Sequence, residues 1–581
     1  MTSLFANIIS YIRETLRGIG HIPNLRLSQL RKVFSLMGKK EKIAFWVLLC
    51  IALLNMGYGG RNIYYAHTVS APTYCGIYEE GMVGQPTYIN PLLGHSDVDV
   101  SLEKLVYSGL YKLDKTGSII PDLADGLPQI SDDQKQYTIN LKHTVRWHND
   151  KQFTADDVVF TIQTLQDPAF KSPLRGMWLS TSVEKLSDYQ IRFTTKDVSG
   201  PFLQNLTLPI LPQSIWGKVD PSLFLTSVNN LQAVGTGPYA IKEIRKQSSG
   251  KVDQISLDSY SNYFNGKPKI DSIIIKFYDN DDDLLNAFHS KDILSLGYIA
   301  SGSSLYVEPG NDTQVLTAPL PQYQVLFYNL TNKALSDQQV RYALSLAINR
   351  QDIVNSVFKK NTLLPYSPFT FGENDQPADA IVFDAAKAAT TLDAAGWKVD
   401  SKTNIRTKNS KPLQVNLATN DSLLNSKTAE LIANAWRQMN IQVNLTVLPT
   451  KQLTDSVIRT RNFDALIFPL KFGTDPDPFI FFHSSQVRDP GINLTGFSDQ
   501  SADKLMTEAR TTTNMQLREE KYSQLNQLMA EKLPVLFLNQ SEYFYAIDKS
   551  VSNVSLQTIF DPSDRFYDTP NWYMQKHRVW K

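Results

Sequence analysis

The segment Gly473–Ser485, GTDPDPFIFFHSS, places two carboxylates, Asp475 and Asp477, two residues apart, with His483 shortly after them. Paired acids can run general acid–base chemistry. Acids beside a histidine can hold a metal ion, and either arrangement can form the wall of a binding site. Each aspartate precedes a proline, which drives it toward an extended backbone. The D-P-D-P segment is therefore stiff and holds its carboxylates at fixed angles for little entropic cost, as recognition requires. A rigid strand-to-helix turn with capping acids accounts for the same residues.

A catalytic role for the pair finds no company elsewhere in the chain. The sequence contains no GxSxG, HExxH, Walker loop or GxGxxG. His143 and His148 lie five apart across a strand end, off the one-face spacing of a zinc pair. Asn280–Asp283, NDDD, lacks the glycine and distal glutamate of an EF-hand and reads as a helix start that collects acids. Cys50 and Cys75 are the two cysteines, so a disulfide framework is excluded, and no CxxC exists for zinc or redox chemistry. The residues call for no catalytic group, no metal and no cofactor.

The elements around the motif are those of a mixed α/β chain without internal repeats. Tyr137, Ile139, Leu141, Val145 and Trp147 alternate as a strand with a polar interruption at His143, and Asn149-Asp150 turns the chain. Thr154 and Asp157 form a capping box for a helix with Val158, Val159, Ile162 and Leu165 on its buried stripe. Ser336-Asp337 opens a helix, and Gly396 stops another that spans Asp384–Ala395. Strands Leu413–Thr419, Ile441–Val447 and Phe463–Leu470 alternate with helices Leu424–Met439 and Thr450–Arg461, which predicts a mostly parallel sheet. Leu505–Lys532 is helical, in one piece or two. In such sheets ligands sit at the carboxyl ends of strands, and the strand Phe463–Leu470 runs straight into KFGTDPDP.

The chain of 581 residues, 42% hydrophobic and 11% aromatic, can bury several cores. A net charge of +1 argues against nucleic acid as a partner. An arm, 1–42, holds eight Lys and Arg against only Glu14 and Glu41, and is followed by the apolar run 43–58, KIAFWVLLCIALLNMGY being the wider segment. That run is at the short end of the ~20 residues of a membrane span. Its one-sided basic flank, Trp46 and Tyr58 near its ends, and Pro72 after Val69–Ala71 favour an uncleaved anchor with a cytoplasmic N-terminus. A cleaved signal peptide and a buried soluble helix are the alternatives.

Several stretches together carry a family resemblance: PTYINPLL (86–93), LVYSGLYKLDKTGSIIPDLADG (105–126), WHNDKQFTADDVVFTIQTLQDP (147–168), VGTGPY (234–239), NLTNKALSDQQVRYALSLAINRQDIV (329–354), AAGW (394–397), FDALIFPLKFGTDPDPFIFFHSS (463–485) and GFSDQSADKLMTEA (496–509). In that order they resemble the family 5 extracytoplasmic solute-binding proteins of oligopeptide and dipeptide ABC importers. The resemblance implies a type II periplasmic-binding-protein-like α/β fold, with two lobes around an interlobe cleft and a third, inserted domain. Mapped here, domain I comprises 72–114, 199–318 and 531–581, domain II 115–198, and domain III 319–530, with 59–71 as a juxtamembrane linker.

The resemblance also implies binding without turnover. A peptide ligand is captured, the lobes close, and the cargo passes to ABC transporter permease subunits, the binding protein being a monomer tethered to the membrane by its N-terminal helix. In peptide-binding members an acid in the loop of the opening motif pairs with the peptide α-amino group. Here Thr474 stands at that place, with Asp475 and then Asp477 the nearest substitutes. Lys471, Phe472 and Gly473 take cleft-lining positions, Gly94, His95, Ser96 and Asp97 match the ligand-facing loop of the other lobe, and Phe537 falls near a cleft aromatic. Relatives that bind nickel chelates or oligosaccharides keep other solutes open, as do a hydrolase and a sensor or scaffold without a transporter.

Overall fold

The computed structural model describes residues 38–94, 96–299, 307, 309–358, 362–365 and 381–580. The basic arm, apart from residues 38–42, and His95 lie outside the described residues. The chain divides into two compact units, Met1–Ala71 with Lys576–Lys581, and Pro72–Gln575.

The first unit is built on helix α1, Lys39–His67, 29 residues with none buried. It is long and apolar enough to cross a membrane, about 43 Å at 1.5 Å per residue. It exceeds the expected 43–58 span, running through Gly59-Gly60 and taking most of the expected linker. Each helical glycine costs only ~1 kcal/mol, and a helix satisfies its backbone groups internally where no other partner is offered. Strand β1, Thr68–Pro72, follows and pairs with residues Lys576–Trp580. Those last residues, expected in domain I, thus belong to the first unit.

The second unit begins with β2, Ile77–Val83, and helix α2, Asp97–Val106. The inserted layer follows: β3 (Gln129–Ile130), β4 (Gln136–Asn140), helix α3 (Ala155–Gln166), β5 (Thr181–Ser187) and β6 (Gln190–Thr195). Its sheet has the order β3-β4-β6-β5. The single strand expected over Tyr137–Trp147 stops at Asn140. Beyond it the chain folds back, with Trp147 N–H bonded to Lys151 O (2.9 Å) across a turn in which Asp150 has φ 62°. The capping box is present, Thr154 N–H donating to Asp157 Oδ2 at 3.0 Å. Val158, Ile162 and Leu165 are buried, and Val159 half-buried.

The chain then supplies β7 (Tyr239–Lys246), β8 (Val252–Ser259), β9 (Ser272–Tyr278), helix α4 (Asp281–His289) and β10 (Ser295–Leu296). Asn280 caps α4 by accepting from Asp283 N–H (2.9 Å), so the NDDD run is a helix start. Next come β11 (Thr313–Tyr328), α5 (Gln338–Leu346), α6 (Ala385–Ala394), β12 (Gln414–Asn420), α7 (Leu423–Gln438), β13 (Gln442–Leu448) and β14 (Ala465–Lys471). Helices α8 (Gln500–Arg510) and α9 (Met515–Lys532) precede β15 (Val535–Asp548), and the pairing strand of the first unit, Lys576–Trp580, is β16.

One continuous sheet runs β13-β12-β14-β11-β15-β10-β2-β9-β8-β7. The expected parallel pairs β12–β13 and β12–β14 are present. In this half of the sheet, one face buries Leu344, Leu392 and Trp436 from α5, α6 and α7. The other buries Met506, Ala509, Tyr522 and Leu525 from α8 and α9. At the opposite end, β2 and β9 pair in parallel beneath a separate core.

The two long strands β11 and β15 pass through both lobes and join them. Their antiparallel register runs Pro319↔Glu542 and then jumps to Tyr323↔Gln540. Pro319 and Pro321 cause this break, since proline has no N–H to give the ladder. The ladder is therefore interrupted where the chain crosses from one lobe to the other, and the loop leaving β14 packs at that crossing.

The first lobe is braced by a fully buried ion pair, Arg565 Nη2 to Glu80 Oε1 at 2.5 Å. The other Glu80 oxygen accepts from Tyr78 (2.5 Å), Tyr545 (2.9 Å) and Ser295 (3.1 Å). Such a pair survives in low dielectric only because its remaining lone pairs are filled.

Candidate functional site

The loop Lys471–Pro478 leaves β14 at the interlobe crossing. Phe472 N–H donates to Pro321 O (2.9 Å), fastening the loop to the register break. The Phe472 ring is buried edge-on against Tyr323 (5.9 Å) and Phe481 (5.2 Å). Gly473 is exposed, and an added Cβ there would meet nothing. Lys471, Gly473 and Thr474 thus present the loop's front, while Phe472 roots it in the core.

The two aspartates also line a cavity, and each is held by an arginine. Asp475 Oδ2 pairs with Arg518 Nη2 at 2.6 Å, the side chains being 10% and 1% exposed. Arg518 also donates to Ala509 O (3.0 Å) and so joins the end of α8 to α9 and the loop. Burial pushes the Asp475 carboxyl up against the pull of Arg518, and Oδ1 has no hydrogen-bond partner among the described residues. Asp477 pairs with Arg510 Nε at 2.7 Å and accepts from Phe479 N–H (3.0 Å). The Arg510 guanidinium lies 4.3 Å from the Phe479 ring centroid. Both carboxylates are therefore engaged by cations at a cavity wall, and the stiffness expected of D-P-D-P is anchored by two arginines.

Across the cleft, the loop Gly94–Asp97 leads into α2, with Ser96 Oγ accepting from Asp99 N–H at 3.0 Å. Gly94 lies directly against the buried Glu103, and an added Cβ would overlap its Oε1. That oxygen has no partner among the described residues, and burial, then Asp99, push the Glu103 carboxyl well above its ordinary range. Asp97 is solvent-exposed between the two lobes. Partial burial there and repulsion from Asp561 raise its carboxyl, while Lys471 and Arg565 oppose them.

Lys471 Nζ meets Asp561 Oδ2 at 3.1 Å, an ion pair between the two sides of the cleft. Burial works against the charge of Asp561, but Lys471 and the Ser563 N–H outweigh it and hold the carboxyl below its usual value. Around this contact lie two cavities. One, of ≈ 350 Å³, is bounded by Lys471–Thr474, Glu103, Tyr107 and Asp561. The other, of ≈ 640 Å³, is bounded by the same loop, Asp475 and Asp477 with Ser199, Trp178 and Arg510. Asp561 thus pairs with the single lysine between two cavities, and the charge of Asp97 is felt by both.

The remaining expected residue, Phe537, lies elsewhere. It is buried in the core, 5.6 Å edge-on from Tyr323, and paired through β15 with Val325. It supports the crossing strands and does not line either cavity. Conversely, Asp561, Arg510, Arg518 and Glu103 were not legible as site residues. The only local signal was the D-P-S-D sequence at Asp561, which reads as a helix cap and is one, Asp561 accepting from Ser563 N–H at 3.0 Å.

The motif WHNDKQF positions the cleft from a distance. His148 Nδ1 accepts from Gly235 N–H (3.3 Å) and its Nε2 donates to Gly237 O (3.0 Å). Burial lowers this histidine to about 4, consistent with one ring nitrogen serving as an acceptor. The V-G-T-G-P-Y segment so held passes against the end of α2, where a Cβ at Gly235 would overlap the Val106 carbonyl. Two separated sequence blocks therefore interlock to seat the helix that carries the Gly94–Asp97 loop.

Comparison with known proteins agrees with this architecture. The oligopeptide-binding protein AppA of Bacillus subtilis is 26% identical over 554 residues, covering 93% of this chain and 100% of the relative. Its solved structure, with a nonapeptide bound, aligns with a TM-score of 0.67 over 87% of this chain and 100% of that one. The nickel-binding periplasmic protein of Escherichia coli is 27% identical over 433 residues, covering 69% of this chain and 77% of the relative. The model of the bacterial extracellular solute-binding proteins, family 5 (middle region), matches residues 118–489, well over half of the chain. A family match over residues 118–489, with a relative and a solved structure aligned along nearly their whole length, settles the membership: this chain belongs to the family 5 solute-binding proteins.

Proposed function

We propose that this protein captures peptides between its lobes and passes them, unaltered, to the permease subunits of an ABC transporter. Domain I would comprise 72–114, 199–318 and the chain from 531 to the end of the second unit, with 115–198 inserted and 319–530 forming the opposing lobe. The observation that carries the reading is the facing of Lys471–Thr474 against Asp561 and Glu103, with cavities at the loop. An extended peptide offers main-chain donors and acceptors to such walls, and water in the cavities accommodates varied side chains.

The polar groups that meet the ligand are Thr474, Lys471, Asp97 and Asp561. Asp475 and Asp477 line the larger cavity but are already engaged by Arg518 and Arg510, and through them hold the shape of the loop. A cationic ligand group would compete with Lys471 for Asp561. Closure then follows because the ligand touches both lobes together only in the closed form. Helix α1 would hold the protein at the outer membrane face as a monomer, raising its effective concentration near the permease.

A second reading, a non-peptide solute, is favoured by one feature. Thr474 stands where peptide-binding members carry the amine-pairing acid, and Asp475 is already neutralised. Thermal unfolding of the Pro72–Gln575 unit with peptide pools separates the two. A peptide at a hundredfold excess over Kd stabilises by about 2.7 kcal/mol. No shift with any peptide pool refutes the peptide reading.

A further inference from the structure

The first unit carries a feature that cleft binding does not use. Arg578 Nε donates to Thr68 Oγ1 (2.8 Å), and its Nη2 donates to Thr68 O (2.9 Å) and Tyr65 O (3.2 Å). Its guanidinium lies 4.2 Å from the Tyr65 ring centroid. Trp580 meets the Tyr64 ring edge-on at 6.0 Å, and Arg61 lies 5.5 Å from the Tyr65 centroid. Residues some 510 positions apart thus build one cluster of aromatic and cationic side chains. Its rings are on the surface, with Trp580 64%, Tyr65 48% and Tyr64 41% exposed.

The position of the cluster along α1 is informative. Between Lys42 and Arg61 the helix has no charged residue. That stretch is about 27 Å long at 1.5 Å per residue, close to the ~30 Å of a hydrocarbon core. Asn55, within it, donates to Ile51 O (2.8 Å), so its amide has an internal partner. Arg61 to His67 would then occupy the next ~9 Å, the headgroup layer. The segments 61–74 and 575–580 contain Arg61, His67, Lys576, His577 and Arg578 and no acidic residue. Aromatic rings with cations at this level are the composition of a membrane interface.

We propose that Arg61–Thr68 and β16 together form a collar that binds anionic phospholipid headgroups, with Tyr64 and Trp580 among those headgroups. The collar rests on the reading of α1 as a membrane span. It makes β16 a second membrane contact of the first unit, beside α1.

The test uses the full chain in lipid nanodiscs, with Cys50→Ser and Cys75→Ser as background. A nitroxide is placed at Val579→Cys, Ile51→Cys or Leu423→Cys, and collisions with oxygen and an aqueous nickel reagent are measured. The expected result is that position 579 loses most aqueous collisions relative to 423, and loses more when phosphatidylglycerol replaces part of the phosphatidylcholine. Arg578→Gln should restore them toward the 423 level. If 51 reads as hydrocarbon but 579 matches 423 in both lipids, the collar is refuted while the span stands. If 51 also reads as aqueous, the span itself fails, and the collar with it. Shielding of 579 that is equal in both lipids, or that appears only when a second membrane protein is added, refutes the headgroup assignment.

Discussion

Arg518→Met tests whether the D-P-D-P loop is held by this arginine. In the native unit Arg518 is 1% exposed and bonded to an Asp475 that is 10% exposed, so neither charge is well hydrated. Removing the cation strands a carboxylate whose Oδ1 already lacks a partner among the described residues. Breaking a buried pair in this way costs about 3–5 kcal/mol, whereas an exposed pair would cost under ~1. The urea midpoint of the Pro72–Gln575 unit, followed by tryptophan fluorescence, should fall accordingly. The loss should also depend on pH. Burial raises the Asp475 carboxyl even with Arg518 present, and more so without it. The folded state of the variant then binds a proton more tightly than the unfolded chain, so its stability declines as pH rises through the raised folded value. The defect should therefore be larger at pH 8 than at pH 5. The double variant Asp475→Leu/Arg518→Met, which removes both charges, should recover most of the midpoint. A loss below ~1 kcal/mol in the single variant, or no recovery in the double, would refute the idea that these charges serve the loop and not the ligand.

Three further outcomes are expected. His148, lowered to about 4 by burial, stays neutral in the fold and charges near 6.5 when unfolded. Stability should therefore be complete above pH ~6.5 and fall by about 3 kcal/mol as pH drops to ~4, a slope that flattens in His148→Gln. Lys471→Met removes a half-exposed ion pair and should change the denaturation midpoint by under ~1 kcal/mol, yet increase the ligand-free radius of gyration in small-angle scattering, since the pair joins the two lobes. Gly94→Ala drives a methyl group onto the buried Glu103. Overpacking of this kind costs roughly 1–3 kcal/mol, and ligand affinity measured by calorimetry should fall with it because the loop entering α2 must move.

What the sequence discloses here is mostly local. The caps at Asn280 and Asp384 and the stop at Gly396 depend on nearby backbone groups, and the structure has them where the residue types put them. The parallel strands β12, β13 and β14 follow from periodicity alternating with helical spacing. The failures are nonlocal. Asp475 was legible as a recognition acid, but its partner lies 43 residues away on another helix, and no spacing rule connects them. Phe537 alternates like any strand residue, so nothing in its neighbours distinguishes a cleft aromatic from a core one. The Tyr137–Trp147 alternation was real, yet the chain turned after Asn140 because Leu141 N–H bonds Tyr189 O and Lys142 N–H bonds Leu123 O, partners distant in sequence. The α1 helix passed through Gly59-Gly60, where a local rule favours a break, since helix propensity is a weak prior against a continuous internal hydrogen-bond ladder.

The most direct measurement is mass spectrometry of the solute extracted, under denaturing conditions, from the Pro72–Gln575 unit purified without added ligand. The account predicts intact short peptides, recovered again unchanged after rebinding to the emptied protein. A metal chelate or sugar in their place, or peptides returned in fragments, would contradict it.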